Sequence, residues 1–328
     1  MFHSSKIIIV GATGNVGQIL LKLLAAQNFP AAHLTLLASA RSVGKKITYL
    51  GDELTVGDLA QFDFHHAQLA FFAAGSEVAQ QYAPIAANAG CYVIDKSSYY
   101  RLDKNIPLVV PEVNGHLLKS SSSKIISVPN CSTIQLVMTL KPLHDLATIE
   151  RVDIATYQAV SGAGKKGIDQ LQQELSSDNL NRTDKTIPIA FNVVPAIDVF
   201  LSSGFTKEEM KLHEETQKIL ACTDLLVNAT AVRVPVWQGH SEAVHLRTQQ
   251  PFTLDAASTA ISQFPGVRYC DQEIPTAVTH AHDNHDVWVG RLRRHPSDSA
   301  HYVNFWVVSD NLYKGAAWNA LQIAMSLF

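Results

Sequence analysis

The opening of the chain constrains its fold more than any other stretch. Lys6–Val10 is a short β-branched run that leads directly into Gly11-Ala12-Thr13-Gly14-Asn15-Val16-Gly17, and an apolar helical pattern follows through Leu20, Leu21 and Leu24. Strand, glycine turn and helix in this order form the first unit of a dinucleotide fold. The glycines permit a tight turn, and backbone N–H groups at the helix N-terminus approach a pyrophosphate. A glycine string by itself also fits a plain structural turn, but its place between strand and helix favours the nucleotide reading. Gly11, Thr13, Gly14, Asn15, Val16 and Gly17 are therefore candidate cofactor contacts.

The next apolar run, Leu34–Ala38, is expected to be the second parallel strand. An NAD site usually offers Asp or Glu at this strand end to the ribose hydroxyls. Here the chain offers Ser39-Ala40-Arg41-Ser42, and an arginine flanked by hydroxyls suits a ribose 2'-phosphate, so NADP is favoured over NAD. The alternative is that Arg41 is an ordinary solvated loop residue. Gln68–Ala74 reads as another strand, ending at Gly75-Ser76, and Cys91–Ile94 as one more after the alanine-rich segment Gln80–Ala89. Gly75 joins the candidate cofactor contacts, and Cys91 reads as core. Repeated strand-to-helix alternation predicts a parallel sheet covered by helices.

The pattern changes further on. Lys124–Val128 reads as a strand, Pro129-Asn130-Cys131-Ser132-Thr133 as its exit and Ile134–Thr139 as the start of a helix. After Pro142, longer β-type stretches (Val152–Val160, Leu225–Val236, Val303–Val308) are separated by helical segments near Gly167–Leu175 and Lys207–Leu220. The expectation is an α/β protein: a Rossmann-like parallel sheet over residues 1–128, then an α+β domain over 129–308 with a mixed or mainly antiparallel sheet. The apolar helical run Tyr313–Phe328, within a segment 309–328, is expected to return to the first domain.

Composition agrees with two compact domains, since 328 residues with 47% hydrophobic and 17% charged side chains can bury two cores. A net charge of -3 without a basic block argues against a nucleic-acid partner. The start shows no secretory pattern, and no apolar run approaches the roughly eighteen residues of a membrane span, so the cytoplasm is expected. Cys91, Cys131, Cys222 and Cys270 are too scattered for a zinc knot or a disulfide framework.

Cys131 lies where a strand gives way to a helix, so nearby N–H groups and the helix field favour a thiolate. Alone, the position fits a buried structural cysteine as well. Joined to a nucleotide motif, it becomes a candidate nucleophile: a thiol adds to an aldehyde, hydride leaves for the nicotinamide, and the remaining thioester is open to phosphate. In Ala231–Glu242, Val232, Val234 and Val236 alternate with Arg233, whose guanidinium can clamp a carboxylate, while His240 can exchange a proton near neutral pH. A surface salt bridge and a polar loop histidine are the plain alternatives. Arg101 is a second candidate anion site. Glu208 and Lys211 share one helical face and suit a substrate amine and a phosphate, although an ordinary ion pair explains the spacing equally well. The loop Ser161–Gly167 lacks the P-loop spacing and is read as shaping the crevice after Gln158, whose amide can orient an acyl intermediate. His280, His282 and His285 are the nearest approach to a metal cluster, and no metal is expected.

Across nearly its full length the sequence resembles the aspartate-semialdehyde dehydrogenase family. Gly11–Gly17 looks like that family's nucleotide loop, Pro129-Asn130-Cys131-Ser132-Thr133 like its nucleophile motif and Tyr157–Gly164 like the active-site segment that follows. The resemblance implies a homodimer that reversibly converts aspartate semialdehyde, phosphate and NADP to aspartyl phosphate and NADPH, running reductively toward lysine, methionine and threonine. It implies Cys131 as nucleophile, His240 as acid/base and Gln158 as orienting group. Arg233 resembles the carboxylate clamp, Arg101 and Lys211 the phosphate site, and Glu208 a contact to the amine, with Asn130 also near substrate. Ser39, Arg41 and Ser42 resemble the NADP discriminator, and Ser161, Gly162 and Asn311 further cofactor contacts. Lys96, where the family usually has a small polar residue, and the 280–285 histidines depart from the pattern. An N-acetylglutamyl-phosphate reductase fits the 231–242 segment less well, and a glyceraldehyde-phosphate dehydrogenase would be expected to carry an acidic ribose contact. A non-catalytic dimeric paralogue is disfavoured by retention of Cys131, Gln158, Arg233 and His240.

Overall fold

The computed structural model describes residues 2–176, 187–297 and 300–328. The chain forms two compact units, Met1–Pro129 with Ala316–Phe328, and Asn130–Gly315. The stretch 309–315 thus belongs with the second unit, and the return to the first begins at Ala316.

The first unit runs β1 (Ile7–Val10), α1 (Asn15–Ala26), β2 (Leu34–Ala38), β3 (Lys46–Tyr49), β4 (Asp52–Thr55), β5 (Gly57–Asp58), β6 (Leu69–Phe72), α2 (Ser76–Asn88), β7 (Tyr92–Asp95), the short α3 (Pro111–Asn114) and α4 (Leu117–Ser120), and β8 (Ile125–Ser127). Six strands pair in the order β5-β2-β1-β6-β7-β8, every pair parallel. Every residue of β1 and β6 is buried, as expected for strands covered on both faces. The turn after β1 needs its glycines. Gly11 has φ +85, and a Cβ there would lie 2.7 Å from the Ala73 carbonyl oxygen; one on Gly17 would lie 2.4 Å from the Gly11 oxygen. Cys91 lies just before β7, fully buried, and burial pushes its thiol up to about 12. The C-terminal helix, Trp318–Leu327, is anchored in this unit: buried Asn319 donates to Val109 O at 2.9 Å and Gln322 to Glu112 at 2.7 Å.

The second unit runs α5 (Cys131–Ala147), β9 (Ile149–Gln158), α6 (Gly164–Leu175), α7 (Lys207–Leu220), β10 (Leu226–Arg233), β11 (His240–Thr248), α8 (Leu254–Gln263), β12 (Val267–Cys270), β13 (Val287–Arg294) and β14 (Tyr302–Ser309). Its sheet, ordered β10-β9-β11-β14-β13-β12, is mixed: β10/β9 and β12/β13 are parallel and the central pairs antiparallel. The two faces differ sharply. Val152, Ile154, Thr156 and Gln158 of β9 are buried toward α5, whereas Asp153, Ala155 and Tyr157 on the other face stay half-exposed. The helix expected to begin at Ile134 starts at Cys131 and continues past Pro142 to Ala147. Proline removes one backbone donor, yet α5 is buried over most of its length, and tertiary packing outweighs that loss.

Candidate active site

The second unit gathers the chemistry at one end of its sheet. β9 ends at Gln158, its parallel neighbour β10 ends opposite at Arg233, and antiparallel β11 begins at His240. Cys131 is the first residue of α5, and Glu208 lies in the first turn of α7 with Lys211 just beyond it. Strand ends and helix starts thus converge for topological reasons.

Asn130 caps α5. Its Oδ1 accepts from the Ser132 N–H at 2.9 Å and the Thr133 N–H at 3.4 Å, while its Nδ2 donates to Glu208 Oε1 at 2.9 Å. Its side chain is therefore engaged in building the turn that carries Cys131. Cys131 is half-buried at the positive end of the helix, where a thiolate is favoured. Gly315 closes on it from another side: a Cβ there would lie 2.8 Å from Cys131 Cβ.

Glu208 is the hub of the polar network. It accepts from Asn130, from Gln158 Nε2 at 3.3 Å and from Lys211 Nζ at 2.9 Å. Burial pushes its carboxyl up, but Lys211, Asn130 and Gln158 outweigh that and hold it at about 2. Lys211 is also bonded to Asp198 at 2.8 Å; burial pulls its ammonium down, and the two carboxylates more than compensate. Gln158 donates to Ser132 Oγ at 2.7 Å, which ties β9 to the first turn of α5.

His240, fully buried, accepts at Nδ1 from the Ala159 N–H at 3.1 Å, which leaves the proton of the neutral ring on Nε2. Arg233 Nη1 donates to Ala159 O at 2.5 Å. Burial lowers the Arg233 pKa, while the nearby Glu208 and Cys131 oppose that shift. Gly162 leaves the space between them open: a Cβ there would lie 3.1 Å from His240 Nε2 and 3.2 Å from Arg233 Nη1. Ser161 and Asn311 are bonded to each other at 3.1 and 3.0 Å, and Asn311 Oδ1 accepts from the Gly239 N–H at 2.9 Å. They join the loop after Gln158 to the loop before His240. Asp310 steadies the same loop by accepting from Gln238 at 2.6 Å.

Ser132, Asp198, Glu215, Asp310 and Gly315 escape sequence reasoning. No spacing rule links Asp198 to Lys211 or Gly315 to Cys131, because those contacts exist only after folding. Among the described residues, no group of three His, Cys, Asp or Glu side chains is placed to hold a metal.

In the first unit, Gly14 is the N-cap of α1, with Asn15, Val16 and Gly17 in its first turn. Thr13 Oγ1 reaches Ser42 Oγ at 3.5 Å, so the turn after β2 that carries Ser39, exposed Arg41 and Ser42 lies beside the glycine loop. Gly75 is the N-cap of α2. A glycine turn so tight that added Cβ atoms meet backbone fits a dinucleotide pyrophosphate. Arg101 is buried and donates to Lys96 O at 2.9 Å. Among the described residues, no helix is long and apolar enough to cross a membrane.

A Rossmann-like unit joined to an α+β unit with a cysteine, histidine and arginine at one sheet end defines a nucleotide-dependent oxidoreductase acting on an aldehyde. Two family profiles match accordingly: semialdehyde dehydrogenase, NAD binding domain, over residues 6–121, and semialdehyde dehydrogenase, dimerisation domain, over residues 140–314. The chain belongs to the aspartate-semialdehyde dehydrogenase family. It is 46% identical to the aspartate-semialdehyde dehydrogenase of Shewanella violacea, covering 99% of this chain and 98% of that one. It is 47% identical to that of Legionella pneumophila, covering 99% and 96%. The crystal structure of aspartate semialdehyde dehydrogenase II from Vibrio cholerae superposes with a TM-score of 0.94 at 44% identity, covering 98% of each chain. A second structure of that Vibrio cholerae enzyme, complexed with ASA, matches equally well.

Proposed function

We propose that the chain catalyses the reversible, phosphorylating oxidation of L-aspartate 4-semialdehyde to L-4-aspartyl phosphate with NADP, in the cytoplasm. The observation that carries this reading is the convergence of Cys131, Gln158, Arg233 and His240, with Gly162 leaving room against the last two. The Cys131 thiolate attacks the aldehyde carbon, forming a C–S bond as the carbonyl π pair moves to oxygen, and the His240 Nε2–H donates a hydrogen bond to that oxyanion. NADP, when bound, would supply the hydride acceptor for that carbon. As the oxyanion's pair re-forms the C=O bond, the thioester is left on Cys131, and phosphate attack on the thioester carbon then expels the Cys131 thiolate. Gln158 orients the acyl group, Arg233 clamps the substrate carboxylate, and Glu208, held ionised, faces the amine. Lys211 and Arg101 are the proposed phosphate contacts, with Lys211 drawn toward phosphate from its two carboxylates.

NADP is supported by the absence of an acidic residue in Ser39–Ser42 and by Arg41 standing exposed beside the glycine loop. Gly11, Thr13, Gly14, Asn15, Val16, Gly17 and Gly75 are the proposed cofactor contacts. Ser161, Gly162 and Asn311 are further proposed cofactor contacts, and Ser161 and Asn311 also join the loops around His240. The cytoplasm is supported by four free thiols. The partner is a second copy of the chain, seated on the half-exposed sheet face of Ala155, Tyr157 and Ala243, which lies within the matched dimerisation domain.

A phosphate-dependent assay of aspartate semialdehyde with each nicotinamide cofactor tests the reading. NADPH formation that requires phosphate, exceeds NADH formation and disappears in Cys131→Ala is the expected result. Unchanged turnover in Cys131→Ala, or equal efficiency with NAD, overturns the nucleophile or the cofactor assignment respectively.

A further inference from the structure

We propose that Glu215 is a positioning residue for the nucleophile, acting through the backbone of Asn130; the proposal rests on reading Cys131 as that nucleophile. Glu215 lies on α7 about two turns beyond Glu208 and is only 1% exposed. Its Oε2 accepts from the Asn130 backbone N–H at 2.7 Å, while Glu208 takes the Asn130 side-chain amide at 2.9 Å. One helix therefore grips the residue before Cys131 at two points.

The geometry explains why a long side chain with an acceptor oxygen is needed there. The backbone N–H of an N-cap residue stands outside the helix ladder and, once buried, requires an acceptor. The local solution is a capping box, in which a Glu or Gln at the third helical position reaches back to that N–H. α7 has one: Thr206 and Glu209 bond reciprocally. In α5 the third position is Thr133, too short to reach back, and Glu215 of a different helix supplies the acceptor instead. With Oδ1 taking the Ser132 and Thr133 amides and its carbonyl taking the Ile134 N–H at 3.0 Å, Asn130 is bonded at every polar group. Its backbone is fixed at φ -57, ψ 146, and this sets the direction in which Cys131 leaves the helix start. The first turn of α5 is thus aimed from α7, the helix that also carries Glu208 and Lys211.

The test compares Glu215→Ala, Glu215→Gln and Glu215→Asp in the full chain, with folding followed by circular dichroism. Turnover of aspartate semialdehyde and the rate of Cys131 alkylation by iodoacetamide are the readouts. Loss of the acceptor lets the thiol drift by a fraction of an ångström or more, so Glu215→Ala is expected to lose roughly 10- to 100-fold in kcat with KM changed less than about threefold. Glu215→Gln retains an acceptor oxygen at the same reach and is expected to return kcat and alkylation to within about threefold of the parent. Glu215→Asp keeps the charge but withdraws the oxygen by one methylene, and should behave like the alanine variant; it decides the question if alanine prevents folding. Parental kcat and alkylation in folded Glu215→Ala or Glu215→Asp overturns the proposal, as does a glutamine variant as impaired as alanine. Turnover surviving in Cys131→Ala would instead remove the nucleophile reading itself, so the two failures are distinct.

Discussion

Gly315 and Gly162 shape the site by the side chains they lack. A methyl group on Gly315 would stand 2.8 Å from Cys131 Cβ, closer than real Cβ contacts come, so either the thiol or the 310–315 turn must move. Gly315→Ala is expected to lower kcat by roughly 10²-fold through misplacement of the nucleophile, with a smaller effect on NADP binding measured by fluorescence titration. A second residue-scale prediction concerns two buried glutamates of opposite sign. Glu208 is held at about 2, so its contribution to stability is complete above the ordinary carboxylate value of 4.5 and is lost as pH falls toward 2. Glu242, fully buried, is raised well above 4.5 by burial, with Gln135 beside it opposing only part of the shift. The folded state therefore holds a proton that the unfolded chain releases. Glu242's contribution is present below pH 4.5 and is lost as pH rises through its raised value. Glu242→Gln removes that term, so its melting temperature relative to the parent should rise steadily from pH 4.5 to pH 8; a constant difference would show that Glu242 does not titrate in this way.

At the scale of elements, α7 is the piece most legible in the sequence. Thr206 followed by acidic residues and an apolar period announces its start, and the helix runs over Lys207–Leu220 as expected. Thr206→Ala breaks the capping box and should cost about 0.5–2 kcal/mol by urea denaturation. Because Glu208 lies in the turn that the cap orders, with Lys211 just beyond it, the KM for aspartate semialdehyde should rise with it. The parallel strands of the first unit were equally legible, since strands buried on both faces are continuous apolar runs. Other elements were hidden for physical reasons. β3 and β4 form an exposed hairpin whose turn, Leu50-Gly51, has both φ values positive, and its polar faces carry little hydrophobic signal. β11 alternates burial from Glu242 onward, but Glu242 and His240 occupy inner positions where an apolar residue would signal a strand. The 277–281 turn is π-helical, and Ala277 packs against Gly239, just before His240. As for the site, the groups proposed to do chemistry stand out in the sequence because their types are few. Asp198, Glu215 and Gly315, which hold those groups, do not, since their partners lie far away in sequence.

For the whole molecule, the open face of the second sheet is the feature that a single chain leaves unresolved. Apart from Val232 and Ser241, the residues of β9, β10 and β11 that point away from α5 are half-exposed or exposed, among them Ala155, Tyr157, Thr230, Ala243 and His245, whereas their neighbours on the inner face are buried. A central sheet face of small and aromatic residues fits an isologous contact, in which the same patch serves both copies. Ala155 is the informative position, since it pairs with Ala243 on one side and Thr230 on the other and its side chain points out of the sheet. Ala155→Arg would set two guanidinium groups against each other across such a contact and leave both desolvated without a carboxylate partner. The backbone pairing of β9 is untouched, so the fold should survive while the assembly dissociates. Sedimentation velocity is expected to show a dimer for the parent chain and a monomer for Ala155→Arg at the same concentration, with matching circular dichroism. A variant that remains dimeric would place the contact elsewhere on the 140–314 domain, where the exposed apolar residues Phe191, Val193, Phe200 and Phe205 provide the next surface to probe.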